Sequence, residues 1–257
     1  MGDFILKLSS NTSYIYTGIN SILSVYVIGF RRTMICVACL CLLLAGCGEE
    51  LLNMEQARNR HYAVRVENVD FDVPLLYHPL EGRFDKGWEP PQTERETIDA
   101  IRIKALLPDM EMYNEKTANE FKTPGWSRKV MIMMTHYRVN WPYYFDGAYK
   151  RLIKLPEHPL VPGMFHYRDP KSDMKDIYLS HDKPVRDLTE MRCENPELDP
   201  EPAPSPSCKV TTIYRGQFQL DYAFSLAYLS QWREIDQKIK ALLDSFISAE
   251  SKNQPQI

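Results

Sequence analysis

The sequence predicts an α+β fold: an antiparallel sheet of five to seven strands, a C-terminal helix packed on it, and long proline-rich loops. Three observations predict this class. Several short stretches alternate apolar and polar residues, as half-buried strands do. One stretch near the C-terminus has apolar residues at steps of three and four, which is typical of an amphipathic helix. Strands and helices do not alternate along the chain as a parallel sheet requires, so the strands are expected to pair antiparallel.

The first half of the predicted domain contains two strands and one short helix. Residues 62–66 and 101–105 each alternate apolar with polar or small side chains, which predicts strands. Between them, residues 74–97 hold six prolines and glycines and are predicted to be loop. Asn114 is a suitable N-cap for a helix that continues to Phe121.

The middle of the chain contains one strong strand and a long irregular region. Residues 129–137 are apolar almost throughout, which predicts a central strand covered on both faces. His136, within this stretch, is expected to be a hydrogen-bonded core histidine. Repeated prolines and glycines make residues 141–170 an irregular excursion with short ordered pieces. Weaker strand signals follow at 176–179 and 185–192.

The C-terminal region gives the clearest pattern. Residues 210–214 and 218–226 flank Arg215-Gly216, which predicts a hairpin whose second strand buries one face. Ser230 is a plausible N-cap for the helix that follows. The predicted apolar stripe of this helix consists of Leu229, Trp232, Ile235, Ile239, Leu242 and Phe246. We expect this stripe to pack across the sheet.

The N-terminal region has the order of a secretory signal. Arg31-Arg32 precede an apolar run at 34–44, and Leu44, Ala45 and Gly46 lead directly to Cys47. A basic segment, an apolar segment and small residues at a cleavage site define such signals. The apolar run is shorter than the roughly 20 residues that span a bilayer. Leu44-Ala45-Gly46-Cys47 resembles the lipobox of bacterial lipoproteins, which implies that Cys47 is acylated and becomes the first mature residue.

This resemblance divides the chain into four parts. Residues 1–46 are a signal region whose long prefix suggests a start downstream of Met1, and 47–59 are an acylated tether. Residues 60–250 form a single periplasmic α+β domain, and 251–257 a disordered tail. The lipid bilayer is then one partner, through acylated Cys47. Gly48, rather than an aspartate, favours the outer membrane.

Cysteine usage agrees with export. Cys36, Cys39 and Cys41 lie in the segment to be removed, which leaves Cys193 and Cys208 besides the acylated residue. A pair of cysteines in an oxidising compartment predicts a disulfide. Two unpaired buried thiols are the alternative. The proline-rich, acidic segment between the two cysteines has little to bury and is expected to be an extended loop.

No catalytic motif can be assembled from the sequence. There is no glycine-rich phosphate loop and no Gly-x-Ser-x-Gly elbow. The six histidines lack metal-ligand spacing, and His158 and His166 are expected to be solvated. We therefore predict no enzymatic activity, no cofactor and no metal. The formal net charge of −3 also argues against a nucleic-acid partner.

Residues 141–149 concentrate aromatic side chains in a predicted loop. Trp141, Tyr143, Tyr144 and Phe145 are the candidate partner-binding residues, because aromatic side chains are enriched at the centres of protein interfaces. Alternatively, these rings cover a sheet edge or fill the core.

The body of the chain also resembles a family of lipoproteins. Residues 208–214, 228–236, 242–246 and 105–109 look like segments of uncharacterised lipoproteins found with type VI secretion systems. Some of these are similar to immunity proteins that neutralise secreted phospholipase effectors. The resemblance implies a lipid-anchored periplasmic binding protein whose protein partner is a secreted toxin or a secretion component. An acidic surface would suit a basic partner. The alternative is a structural or assembly lipoprotein of the envelope or the secretion apparatus.

Overall fold

The computed structural model describes residues 51–77, 87–137, 139–198 and 205–252. The predicted signal region, the lipobox and Cys47 lie outside these described residues. In the part of the chain that is described, none of the helices has the length and apolar character needed to span a membrane.

Two β-sheets organise the described residues. The smaller sheet contains β1 (His61–Val66), β2 (Val69–Pro74) and β3 (Glu96–Thr97), in the order β2-β1-β3. The larger sheet has eight strands: β4 (Ala100–Leu106), β5 (Lys129–His136), β6 (Ile153–Lys154), β7 (Phe165–Asp169), β8 (Ser172–Leu179), β9 (Glu190–Glu194), β10 (Ser207–Tyr214) and β11 (Phe218–Ser225). Its order is β4-β5-β11-β10-β9-β8-β7-β6.

All neighbours in the larger sheet pair antiparallel, which confirms the predicted α+β class. The sheet has one strand more than the upper end of the prediction. Two of its strands, β6 and β7, were not predicted, because they lie where frequent prolines and glycines predicted irregular chain, and the predicted strand at 62–66 belongs to the smaller sheet instead. β6 has only two residues, so it is too short to produce a recognisable alternation.

The helices of the described residues are short, with one exception. They are α1 (Met54–Ala57), α2 (Ala118–Lys122), α3 (Trp141–Asp146), α4 (Trp232–Phe246) and α5 (Ala249–Lys252). Single 3₁₀ turns occupy Leu75–Tyr77 and Tyr149–Arg151, and a longer one, Leu226–Gln231, leads into α4.

Helix α4 packs on one face of the larger sheet, as the sequence predicts. Its buried side chains are Trp232, Ile235, Ile239, Leu243 and Phe246. They share one core with Ile132 of β5 and with Tyr222 and Phe224 of β11. Leu242, which the predicted stripe included, is only half-buried, and Leu243 is fully buried instead.

The start of this helical region differs from the prediction. Ser225, not Ser230, provides the cap, because its hydroxyl accepts a hydrogen bond from the backbone N–H of Ala227 at 3.3 Å. The 3₁₀ turn then runs into α4 without a side-chain cap at Gln231. A serine thus does begin the helical region, but at the end of β11.

The opposite face of the sheet is not covered by α4. On strand β5, Val130 and Met134 are fully buried, whereas Met131 is 41% exposed. The expectation that both faces of this strand are covered is therefore wrong. His136 is also not a core residue: it is half-exposed, and its Nδ1 lies 3.4 Å from a Glu67 carboxylate oxygen. Methionines on the open face gave this strand its uniformly apolar sequence.

A disulfide joins Cys193 of β9 to Cys208 of β10. The two cysteines face each other directly in the antiparallel register, and both are buried. The bond thus links adjacent strands near the middle of the larger sheet. The structure describes only the two ends of the proline-rich segment between the cysteines, because residues 199–204 lie outside the described part.

Three further expectations need correction. The Asn114 carboxamide oxygen accepts from the backbone N–H groups of Lys116 and Thr117, which forms a turn, and α2 begins only at Ala118. The aromatic segment predicted as loop begins with a helix, α3. Ser251, predicted to begin a disordered tail, belongs to α5, and its hydroxyl accepts from the Asp70 N–H at 2.9 Å, whereas residues 253–257 of that predicted tail lie outside the described residues.

Candidate binding groove

The face of the larger sheet turned away from α4, here called the open face, carries a continuous row of side chains. Strand register places one residue of every strand in this row: Lys104, Met131, Ala223, Lys209, Arg192, Ile177, Tyr167 and Lys154. Neighbouring strands lie about 4.8 Å apart, so the first five positions span roughly 19 Å. Four of the eight residues are cationic.

A cavity of about 880 Å³ lies on the open face beside β4 and β5. Arg102 and Lys104 of β4, Met131 and Met133 of β5 and Lys209 of β10 contribute to its floor. Ile98 and Trp126 also line it. A volume of this size is within the range of small-molecule and peptide sites.

A second cavity, of about 480 Å³, adjoins the first. The two share Met133, Lys209 and Asp221 as lining residues. Arg192 of β9 and Tyr144 of α3 line the second cavity only. Because the two cavities share their lining, we treat them as one site and call it the groove.

The groove is cationic although the whole chain is mildly acidic. Five cationic side chains and three carboxylates line it. Two of the carboxylates are satisfied inside the protein. Glu190 accepts a hydrogen bond from Tyr149 and pairs with Arg192. Asp221 accepts from Thr211 at 2.6 Å and from Gln219 at 2.7 Å. The expectation of an acidic binding surface is therefore wrong for this face.

The remaining cations of the groove have no anionic partner in the described part of the chain. These are Arg102, Lys104, Lys175 and Lys209. Burial, together with the charge of Lys104, lowers the pKa of nearby Lys129. Burial is the larger cause, and the Lys104 charge acts in the same direction.

The aromatic segment 141–149 divides between groove and core. Tyr144 is 42% exposed and lines the second cavity, with its ring 6.3 Å from that of Tyr149. Phe145 instead packs edge-on against Tyr149, at 4.7 Å, in a small core. The side chains of Trp141 and Tyr143 lie outside the described residues. Of the predicted interface residues that can be placed, one therefore borders the groove and one is structural.

Tyr149 anchors this segment to the sheet. Its hydroxyl donates to the Glu190 carboxylate, and burial followed by the nearby Glu190 charge raises the Tyr149 pKa far above its usual value. The phenol is therefore always protonated and a hydrogen-bond donor. This contact fixes α3 and its following 3₁₀ turn beside the second cavity.

A buried polar cluster on the α4 side of the sheet was a second candidate. His166, predicted to be solvated, is 7% exposed, and its ring stacks on Tyr178 at 4.9 Å. Its Nε2 lies 3.2 Å from Asp176, but the ring N–H points poorly at that oxygen, so the contact is electrostatic. His166 lines neither cavity of the groove. Its setting is that of a structural residue.

In the described ranges, no group of three or more histidine, cysteine, aspartate or glutamate side chains is placed to hold a metal ion. What the groove offers is positive charge beside exposed methionine. Such a surface can bind an anionic partner that also presents apolar groups.

The sequence reasoning missed the groove, although part of its signal was visible. Arg102 and Lys104 alternate with buried residues on β4, and Lys209 does the same on β10. The alternation predicted which side chains face outward. It could not predict that β4 and β10 belong to one sheet with two strands between them.

Comparison with known proteins gives two structural neighbours. No family model and no curated protein matches this sequence. The Neisseria meningitidis iron-regulated outer membrane lipoprotein FrpD is similar in structure, with a TM-score of 0.51 and 15% identity over 78% of this chain and 96% of FrpD. Smlt3025, an immunity protein of the Stenotrophomonas maltophilia type IV secretion system, is similar with a TM-score of 0.50 and 12% identity, over 74% of this chain and 94% of Smlt3025. At these identities the likeness shows that the fold is shared.

Proposed function

We propose that this chain is a lipid-anchored binding protein of the bacterial cell envelope that acts as an immunity protein. It would capture a secreted antibacterial toxin, of lipase type in the sharpest version of the proposal, and block it by contact. The observation that carries the proposal is the groove, which spans several strands of the open face and is rich in exposed methionine and in cations without an anionic partner among the described residues.

The proposal includes the absence of an enzymatic activity. An inhibitor needs only a rigid scaffold and a surface that fits its target. Here the larger sheet, braced by α4 and by the disulfide, supplies the scaffold. Side chains on paired strands are held more rigidly than side chains on loops, which lowers the entropy cost of binding.

The neighbours support this proposal through their own described roles. One is an outer membrane lipoprotein and the other an immunity protein of a secretion system. Both descriptions agree with the lipobox-like Leu44-Ala45-Gly46-Cys47 and with the resemblance to secretion-associated lipoproteins. We therefore propose that the protein is anchored to a membrane facing the periplasm, and Gly48 favours the outer membrane.

A co-culture experiment tests the proposal. A strain lacking the gene is grown in contact with its toxin-secreting parent, and its survival is counted. We expect the deletion strain to be killed and a plasmid copy of the gene to restore survival. A copy with Cys47→Ser, which cannot be acylated, should protect poorly because it is not retained at the membrane.

Equal survival of the deletion strain and its parent, in a parent shown to kill unrelated competitors, would contradict the immunity role. A structural lipoprotein would instead give an envelope defect in pure culture, without any secreting neighbour. Acyl labelling of the wild-type chain and of the Cys47→Ser variant reports separately on the anchor.

A further inference from the structure

The charge of the groove specifies its partner more closely than the proposed function does. Lys209 occupies the middle of the open face and contributes to both cavities. Arg102 and Lys104 stand on one side of it and Arg192 on the other, all on the same face. A cationic track therefore runs across the strands, roughly 19 Å from Lys104 to Arg192.

Most of these cations have no ion-pair partner among the residues that the structure describes. Of the five that line the groove, only Arg192 has an anionic partner in the described part of the chain, namely Glu190. Placing several like charges together disfavours the free protein and favours a partner that neutralises them. Carboxylates arranged along a segment would do so, and burial in the groove would strengthen each pair relative to water.

The groove also has apolar area. Met131 is 41% exposed, Met133 lines both cavities, and Trp126 and Tyr144 line one each. Methionine side chains are flexible and adapt to different apolar groups. A surface with cations alone could bind any polyanion. The combination of cations and apolar side chains in the groove favours a polypeptide that carries both carboxylates and apolar side chains.

We infer that the groove binds an acidic segment of a partner protein in which carboxylates are interspersed with apolar residues. This inference rests on the proposed function and names the chemistry that the captured toxin would present. A flat bilayer fits the groove less well, because the cations lie within a cavity that Ile98, Trp126 and Tyr144 also line. Anionic lipid is therefore an outcome of the test and not the proposal.

Fluorescence anisotropy with three labelled peptides tests this inference on the full chain in detergent. One peptide is rich in glutamate and leucine, the second in glutamate and serine, and the third in lysine and leucine. We expect the glutamate–leucine peptide to bind most tightly and the lysine–leucine peptide not to bind. The affinity of the glutamate–leucine peptide should fall as the salt concentration is raised, since salt screens exposed ion pairs.

Charge-reversal variants test whether the peptide binds in the groove. The variant Lys104→Glu/Lys209→Glu should bind the glutamate–leucine peptide about tenfold more weakly or worse. A matched control, Lys116→Glu/Lys183→Glu, makes the same change of net charge at exposed positions outside the groove and should bind within about twofold of wild type. If the reversed variant does not fold, Lys104→Gln/Lys209→Gln replaces it and should show a smaller loss in the same direction.

Three results would overturn the inference: equal binding of acidic and basic peptides, equal loss in the groove variant and its control, or no preference for leucine over serine. So would a groove variant that keeps the peptide affinity but loses binding to vesicles of phosphatidylethanolamine with phosphatidylglycerol. The co-culture assay is independent of these measurements. A deletion strain that survives while the peptides behave as expected would refute the immunity role and leave the groove chemistry standing.

Discussion

At the scale of single residues, Asp176 shows how the sheet tolerates buried charge. Its oxygens accept hydrogen bonds from Arg168 at 2.8 Å and from Asn195 at 2.7 Å, and His166 lies at 3.2 Å. Burial is the largest single effect and disfavours the carboxylate, but the hydrogen bonds from Arg168 and Asn195, together with the nearby His166 ring, outweigh it and lower the Asp176 pKa. A buried carboxylate with this many partners stabilises the junction of β7 and β8.

Replacing Asp176 with asparagine should therefore destabilise the fold in a pH-dependent way. A carboxyl group with a depressed folded-state pKa contributes stability above its unfolded pKa and loses it as pH falls through the folded pKa. We expect Asp176→Asn to cost about 2–3 kcal/mol of unfolding free energy at neutral pH, because it leaves Arg168 without its charged acceptor. The difference from wild type should shrink below about pH 4.

Urea unfolding at neutral and acidic pH measures this prediction. Asp146→Asn is the matched control, because the Asp146 side chain is 79% exposed and forms a surface pair with Lys150, four residues along the chain. Its stability should hardly change at either pH. A cost for Asp176→Asn that stays constant with pH would show that asparagine fails there through shape and not through charge.

At the scale of secondary structure elements, the strongest local patterns were the most predictable. The β10–β11 hairpin has eight residues in each strand and a two-residue turn, and its alternation was visible in the sequence. Helix α4 was visible for the same reason. Boundaries and caps were less predictable, because Ser225 and Ser230 are equally suitable cap residues and only the end of β11 decides between them.

Leu243 is buried where the sequence predicted Leu242, and this difference can be tested within one helix. Leu243 is fully buried in the core against the sheet, and Leu242 is half-buried at its border. Both are leucines in the same turn of α4, so helix propensity cancels in the comparison. We expect Leu243→Ala to cost about 3 kcal/mol or more and Leu242→Ala about 1 kcal/mol, since the cavity term applies only to the buried site.

Thermal or urea unfolding of the two variants gives the comparison directly. Similar losses in both would mean that α4 is rotated on the sheet relative to the arrangement described. A larger loss at Leu242 would restore the predicted stripe and contradict the observed packing.

At the scale of the whole molecule, the proposed binding groove lies on a face that no local pattern in the sequence reveals. The sequence predicted the class, the hairpin, the terminal helix and the pairing of Cys193 with Cys208. The groove depends on contacts between distant segments: Lys104 and Lys209 share a face only because β5 and β11 lie between their strands. His166 was wrongly predicted to be solvated for the same reason, since its burial depends on Tyr178 and Asp176 of the neighbouring strand.

The disulfide lies directly beside the groove and is a bond typical of the periplasm, where we propose that the protein is located. Cys193 and Cys208 are one residue away from Arg192 and Lys209, which face each other across the same strand pair on the open face. The bond therefore holds together the two strands that carry the centre of the cationic track. A disulfide is stable in the oxidising periplasm and is rare in the reducing cytosol, so under the proposed function we expect the chain to reach its full stability only after export.

Removing the disulfide should lower both the free energy of unfolding and the affinity of the groove for the peptide. The cysteines are separated by 15 positions, and in the chain-entropy model closing a loop of that size contributes about 3 kcal/mol. We expect Cys193→Ser/Cys208→Ser to lose about that much unfolding free energy in urea, and wild type treated with reductant to lose a similar amount. The glutamate–leucine peptide should bind more weakly to the variant, because β9 and β10 are less firmly held. Equal stability of oxidised and reduced wild type would contradict the structural role of the bond and separate the groove from the redox state of its compartment.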